Sequence, residues 1–256
     1  MISNCGIDER GRSRGGKAGD QTKKEYRIKS WYNKPWDCVL RPATAQIGAT
    51  LAGIAEKAAK NDKIGYDQSQ RYTYFDELKK AKWRPEKIKK ACEADCSSST
   101  AANVIATGYR LGIKKLQNLP KDSWTGNLRG RLKNVGFRVL TAPKYLTSDE
   151  YLLPGDILLN DSHHVAINLD KGAKAKHETY QDLPYPTETL KKGSIGEQVK
   201  KLQRCLNKIM KTNLVVDGSF GDKTDKVVRA FQEKYKLAVD GSVGPKTRKK
   251  IKELMV

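Results

Sequence analysis

No stretch of this chain approaches the ~20 consecutive apolar residues that span a bilayer. The first residues, MISNCGIDERGRSRGG, hold no apolar core of a secretory leader either. The two absences predict synthesis in a cytoplasm, without a transmembrane segment. Cysteine is sparse and odd in number. Cys5, Cys38, Cys92, Cys96 and Cys205 form no tight framework, which favours a reducing compartment over a disulfide scaffold. Cys92 and Cys96 lack a second ligand pair at zinc spacing, so no metal is expected, and no cofactor is expected either. Histidine is scarcer still: His163, His164 and His177 are the only three.

What the chain has in excess is base. Fifty Lys and Arg stand against 29 Asp and Glu over 256 residues, a net charge of +21. Such an imbalance expects a polyanion: nucleic acid, an acidic membrane, or an anionic cell-wall polymer. No nucleic-acid-binding motif accompanies the charge, so nucleic acid is not the expected partner.

Residues 43–60, ATAQIGATLAGIAEKAAK, place Ile47, Leu51, Ile54 and Ala58 at helical spacing. A second helix is predicted from Pro85 through EKIKKACEA. A third starts after Asp95, a good N-cap, with Gly108 as its stop. The period then changes: PGDILLN (154–160) and HHVAINLD (163–170) read as strands. AKAKHETY (173–180) reads as the return strand of a hairpin turning near Asp170, Lys171 and Gly172. Helices first and strands later predict an α+β fold, a helix packed on an antiparallel sheet. The stretch 178–190 carries two prolines, acids and no base, which marks a linker. Beyond it, VDGSFGDKT (216–224) recurs as VDGSVGPKT (239–247), identical at seven of nine positions. Together with the amphipathic run Val199, Leu202, Leu206 and Ile209, the repeat predicts a small three-helix unit with two matching Asp-Gly turns. Asp217 and Asp240 are expected to terminate and cap helices. Residues 190–256 hold 17 Lys and Arg against 7 Asp and Glu, a net +10. The expected domains are therefore 1–178, a linker 179–189, and 190–256.

ADCSSSTAANVIATG (94–108) sets a thiol where a helix begins. Unpaired N–H groups and the dipole there stabilise a thiolate, and are expected to lower its pKa from ~8.5 toward ~7 or below. The same N–H groups can hold the oxyanion of a tetrahedral intermediate. A nucleophilic Cys96 needs a base and a group to orient it. In the hairpin turning at Asp170-Lys171, paired residues sum to 341, so His164 faces His177 while His163 points the other way. The pairing points to Cys96, His164 and His177.

ADCSSS before a helix, then PGDILL and HHVAI, resembles the NlpC group of papain-like cell-wall cysteine hydrolases, relatives of CHAP domains. The resemblance implies Cys96 as nucleophile, His164 as base and His177 as orienting residue, with Asp95 and Ser97 near the bound peptide. The clustered serines, GGKAGDQTKKE, WYNKPW and IGYDQSQR also resemble a phage peptidoglycan amidase subgroup. One departure is Ala94, where the family often has tyrosine. LKKGSIGEQVKKLQRCLN, AFQ and the two repeats are similar to the type 1 peptidoglycan-binding domain. The combination resembles a bacteriophage endolysin. It implies an amide hydrolase, endopeptidase or N-acetylmuramoyl-L-alanine amidase, acting on a Gram-positive wall after the membrane is opened. The alternative class is a non-enzymatic basic protein that binds wall polymer or nucleic acid.

Overall fold

Thr44 stops the chain in an extended conformation, and its side chain accepts from the Ile47 N–H at 3.2 Å. That cap starts α1 (Ala45–Ala59), whose buried face is Leu51, Ala52, Ile54, Ala55 and Ala58. In the computed structural model, which describes residues 1–175 and 185–255, the chain divides into two units, Met1–His177 and Glu178–Val256.

The first unit is built on a six-stranded sheet. Its strands are β1 (Ile2–Cys5), β2 (Tyr26–Lys29), β3 (Cys38–Arg41), β6 (Arg138–Leu140), β7 (Ile157–Asn160) and β8 (His164–Asn168). They run in the order β2-β1-β8-β7-β3-β6, and each neighbouring pair is antiparallel. A separate parallel pair joins β4 (Ile64–Tyr66) to β5 (Cys92–Ala94). The helices of this unit are α1, α2 (Thr73–Lys80), α3 (Cys96–Leu111), and α4 (Lys114–Gln117), α5 (Thr125–Asn134) and α6 (Pro143–Leu146).

Helix α3 is the central element. Ala101, Val104 and Ile105 pack with Val165 and Ile167 of the sheet, while Ala102 and Ala106 pack with Ile64, Tyr74 and Ala94 on the other side. A helix buried on both sides needs small residues for close approach, which is why STAAN (99–103) can run through the core. Its one buried amide is satisfied: Asn103 Oδ1 accepts from Tyr74 Oη–H at 2.7 Å, and Asn103 Nδ2 donates to Tyr26 Oη at 2.9 Å. A buried ion pair, Arg41 to Asp156 at 2.6 Å, ties β3 to the turn before β7.

Three expectations are corrected. The segment after Pro85 is one 3₁₀ turn (Pro85–Lys87) followed by β5, because Cys92, Glu93 and Ala94 are buried against the partner strand β4. Gly108 lies inside α3 rather than ending it; a Cβ there would sit 2.6 Å from the Gln117 nitrogen, so the glycine admits α4. The helix ends at Gly112 in the left-handed conformation, φ 69°. Finally, the hairpin around the histidines is β7–β8, with Asn160 opposite His164 and Asp161–His163 as its loop. The other edge of β8 is taken by β1, through Ile2 and Ser3. Residues 173–175 of the expected return strand form a turn, with the Gly172 N–H donating to Leu152 and that of Lys174 to Glu150. The rest of that segment, His177 included, lies outside the described residues.

The second unit holds α7 (Glu197–Met210), α8 (Asp222–Lys234) and α9 (Pro245–Met255), around a core of Leu202, Leu206, Phe220, Val228, Phe231 and Ile251. Its repeat is a structural duplication. Gln203 Nε2 donates to Asp217 Oδ1 at 2.8 Å and to Ser219 O at 3.0 Å, and its Oε1 accepts from the Gly218 N–H at 3.0 Å. Gln232 makes the same bonds to Asp240 (2.8 Å), Ser242 (2.9 Å) and Gly241 (2.9 Å). Each Asp-Gly turn is thus locked by a buried glutamine; Asp217 and Asp240 brace these turns rather than capping helices as expected, since α7 ends at Met210 and α8 starts after Gly221. Gln232→Ala leaves these partners unsatisfied, an expected cost of about 1–3 kcal/mol. All four tryptophans (Trp31, Trp36, Trp83 and Trp124) lie in the first unit. The calorimetric transition of the second unit should therefore fall by several degrees while the tryptophan fluorescence transition stays put.

Candidate active site

Asp95 begins α3 with a capping box. Its Oδ1 accepts from the Ser97 and Ser98 N–H groups at 2.9 and 2.7 Å, while Ser98 Oγ accepts from the Asp95 N–H at 2.9 Å. Ser97 Oγ–H adds a third bond to the same carboxylate oxygen at 2.9 Å. The cap fixes Cys96 as the first helical residue. The Cys96 N–H has no acceptor among the described residues and stays available at the helix start.

Because α3 packs across β8, the thiol meets the backbone N–H of Val165, the residue after His164. His164 is buried, and its Nε2 lies 2.8 Å from Asn4 Oδ1 on the neighbouring strand β1. The same oxygen accepts from Tyr32 Oη–H at 3.2 Å. An amide oxygen only accepts, so this network assigns the proton to Nε2 and leaves Nδ1 as the basic nitrogen. The Trp36 ring covers the imidazole with centroids 6.1 Å apart. His163 is different: it is exposed in the hairpin loop, its Nδ1 2.8 Å from its own loop's Asp161 carbonyl.

The expected low thiol pKa does not appear. Burial, and then the Asp95 carboxylate, push the Cys96 thiol up to about 12, against smaller downward contributions from the Val165 and Ser97 N–H groups and Arg71. Burial likewise pushes His164 down to about 4, helped by Lys34 and Lys29. The helix dipole is outweighed because the sulfur sits among packed atoms rather than in water. At neutral pH the resting pair is thiol and neutral imidazole. Labelling of Cys96 by iodoacetamide should then climb about tenfold per pH unit between pH 6 and 9, since the reactive thiolate is a small, growing fraction. A rate already level below pH 7 would show a preformed thiolate–imidazolium pair instead.

The structure thus brings together Cys96, Asp95, Ser97 and the β8 strand that starts at His164. Two site residues escape sequence reasoning. Asn4 lies in a four-residue strand, ISNC, with no periodic signal. Arg71 lies in the loop before α2, where its Nε meets Asp95 Oδ2 at 3.0 Å and its Nη2 donates to Ser97 Oγ at 2.9 Å. The only hint of Arg71 in the sequence was its place at the end of IGYDQSQR. No group of three or more His, Cys, Asp or Glu able to hold a metal occurs among the described residues. No helix among them is long and apolar enough to cross a membrane.

The first unit is thus an α/β domain in which a helix-start thiol meets the strand that begins at His164. The endolysin-like domain family matches residues 2–175, and the chain belongs to that family. Residues 195–251 match a family described as a peptidoglycan binding domain. The chain thus joins an endolysin-like domain to a segment similar to peptidoglycan-binding domains. No curated protein matches it. Among solved structures, a peptidoglycan-binding protein from Clostridioides difficile, in complex with glutamine hydroxamate, is 42% identical over 25% of this chain and 40% of its own (TM-score 0.24). A fused Zn-dependent amidase/peptidase/peptidoglycan-binding protein from Clostridium acetobutylicum is 41% identical over 25% of this chain and 28% of its own (TM-score 0.24). The SleB N-terminal domain is 36% identical over 27% of this chain and 94% of its own (TM-score 0.26). The chain spans well under half the length of the first two.

Proposed function

We propose that this protein is a cysteine peptidoglycan hydrolase of the endolysin type, cleaving an amide bond of the wall stem peptide. The observation that carries the reading is Cys96 at a capped helix start, its thiol against the Val165 N–H, the residue after a histidine whose Nε2 is held by Asn4. The papain-like arrangement follows the same reading. In the reaction, Cys96 Sγ attacks the amide carbonyl carbon as its proton passes to His164 Nδ1. The Cys96 N–H faces the oxyanion that forms. The imidazolium then protonates the departing amine, leaving a thioester on Cys96. Water, deprotonated by the same nitrogen, hydrolyses the thioester and frees the thiol.

Asn4 takes the orienting role in this scheme, since it holds Nε2 directly. His177, the third residue implied by the family resemblance, is the competing candidate for that role. Asp95 and Ser97 form the floor under the bound peptide. Residues 1–178 are the catalytic part, 179–189 the linker, and 190–256 the part that concentrates the enzyme on the wall. The net +10 of the last part suits the anionic polymers of Gram-positive walls. The chain is made in the host cytoplasm and meets the wall once the membrane is breached.

Digestion of purified Gram-positive walls, followed by mass spectrometry of the soluble products, tests the reading. A new muramoyl lactyl group marks an N-acetylmuramoyl-L-alanine amidase, and a new peptide amine marks an endopeptidase. Walls that bind the protein yet release neither would reduce it to a binding protein.

A further inference from the structure

The polar groups beside Cys96 are mostly committed to one another. Asp95 Oδ1 takes three donors from Ser97 and Ser98, and its Oδ2 meets Arg71 Nε at 3.0 Å. Ser97 Oγ donates to Asp95 and accepts from Arg71 Nη2. Nη2 also donates to the Ser123 carbonyl at 2.8 Å. The guanidinium is therefore held by the two Nη2 hydrogen bonds and the ion pair with Asp95, with its side chain 21% exposed. Nη1, with two N–H donors, has no acceptor among the described residues. A second cation stands nearby. Arg71 Cζ lies 5.2 Å from the centroid of the Tyr72 ring, and Lys121 Nζ lies 5.6 Å from the same centroid. Lys121 also lies 5.3 Å from the Phe75 ring and forms no ion pair among the described residues. Asp95 balances one of the two positive charges, so the other is unspent.

We propose that Arg71 Nη1 and Lys121 form a carboxylate-binding subsite that selects stem peptides by a free acidic group next to the scissile amide. The proposal rests on the reading of Cys96 as the reacting thiol. A fixed guanidinium with an open edge suits an oxyanion, because its donors are already oriented and little rotamer entropy is lost on binding. Arg71 bonds to the residue following Cys96, so the group it takes belongs to the peptide under attack. A phosphate of the wall polymer shares the chemistry and is the competing source.

The test uses the intact chain carrying Cys96→Ala and two soluble stem peptides. They are identical except that the D-glutamate α-carboxyl is free in one and a carboxamide in the other. Calorimetry should show the acid form binding about tenfold more tightly, the scale of one charge-assisted pair. Adding Arg71→Gln should erase the preference by weakening the acid form alone, whereas loss of a merely structural arginine would weaken both. Lys121→Ala, which removes only contacts to ring faces, should reduce the preference two- to threefold and decides the matter should Arg71→Gln fail to fold. Equal affinities in the parent, binding of neither peptide, or a preference untouched by these variants would overturn the subsite. So would displacement of the acid peptide by glycerol phosphate at equal concentration. Wild-type chain that leaves both peptides uncleaved would remove the hydrolase reading, while the binding ratio still decides the subsite.

Discussion

Cys96→Ser should cut the release of new termini from purified walls by at least about 1,000-fold, with wall binding and thermal unfolding nearly unchanged. The size follows from the neutral resting pair. With the thiol pushed up to about 12, attack depends on passing its proton to His164 as the carbon–sulfur bond forms. A serine hydroxyl is a poorer acid and nucleophile in a pocket shaped for sulfur. Native-state alkylation offers the same test without mutation, because Cys96 alone of the five cysteines is not buried. Cys92→Ser should retain most activity: that thiol is buried in β5 and points to the Lys63 carbonyl at 3.5 Å. Lysis at wild-type rates in Cys96→Ser, or after its full alkylation, would leave a non-enzymatic or differently catalysed protein. Chelators should have no effect on the rate, as no metal enters the mechanism.

The second large effect belongs to the imidazole. His164→Ala should lower kcat/KM by about 100- to 10,000-fold, the usual weight of a general base. Asn4→Ala should cost about 10- to 100-fold, because the base survives but loses the bond that fixes its ring and tautomer. His163→Ala should cost little, its ring being exposed in the β7–β8 loop. The order of severity discriminates between the two candidates for the third position. A heavier loss in His177→Ala than in Asn4→Ala would hand the orienting role to His177. A heavier loss in His163→Ala than in His164→Ala would dissolve the proposed site.

The residues that carry this site differ in how far the sequence exposes them. Cys96 was legible because capping is local: Asp95, a serine run and a small-residue helix occupy consecutive positions. The strands of His164 and Ile157 were legible as branched-aliphatic runs, and the second unit as an imperfect repeat. Strand β5 was not, since Pro85 and a lysine-rich run imitate a helix start. Its strand character comes from pairing with Ile64–Tyr66, far away in sequence. Strands β1, β2 and β3 are four residues each, too short for alternation to stand out from a polar background. The neighbours of His164 were misassigned for the same reason. The sequence offered the adjacent segment 173–180 as partner, whereas the hairpin with β7 takes one edge of β8 and long-range pairing brings β1, with Asn4, to the other. The ionisation of Cys96 was misjudged because a helix start is visible in sequence and the packing over its sulfur is not.

The most direct measurement is mass spectrometry of the wild-type chain, acid-quenched while it digests soluble wall fragments. A thioester intermediate predicts an added acyl mass on the peptide that contains Cys96, lost on treatment with hydroxylamine and absent from Cys96→Ser. Continued cleavage with no adduct on Cys96, or with the adduct on another residue, would contradict the mechanism.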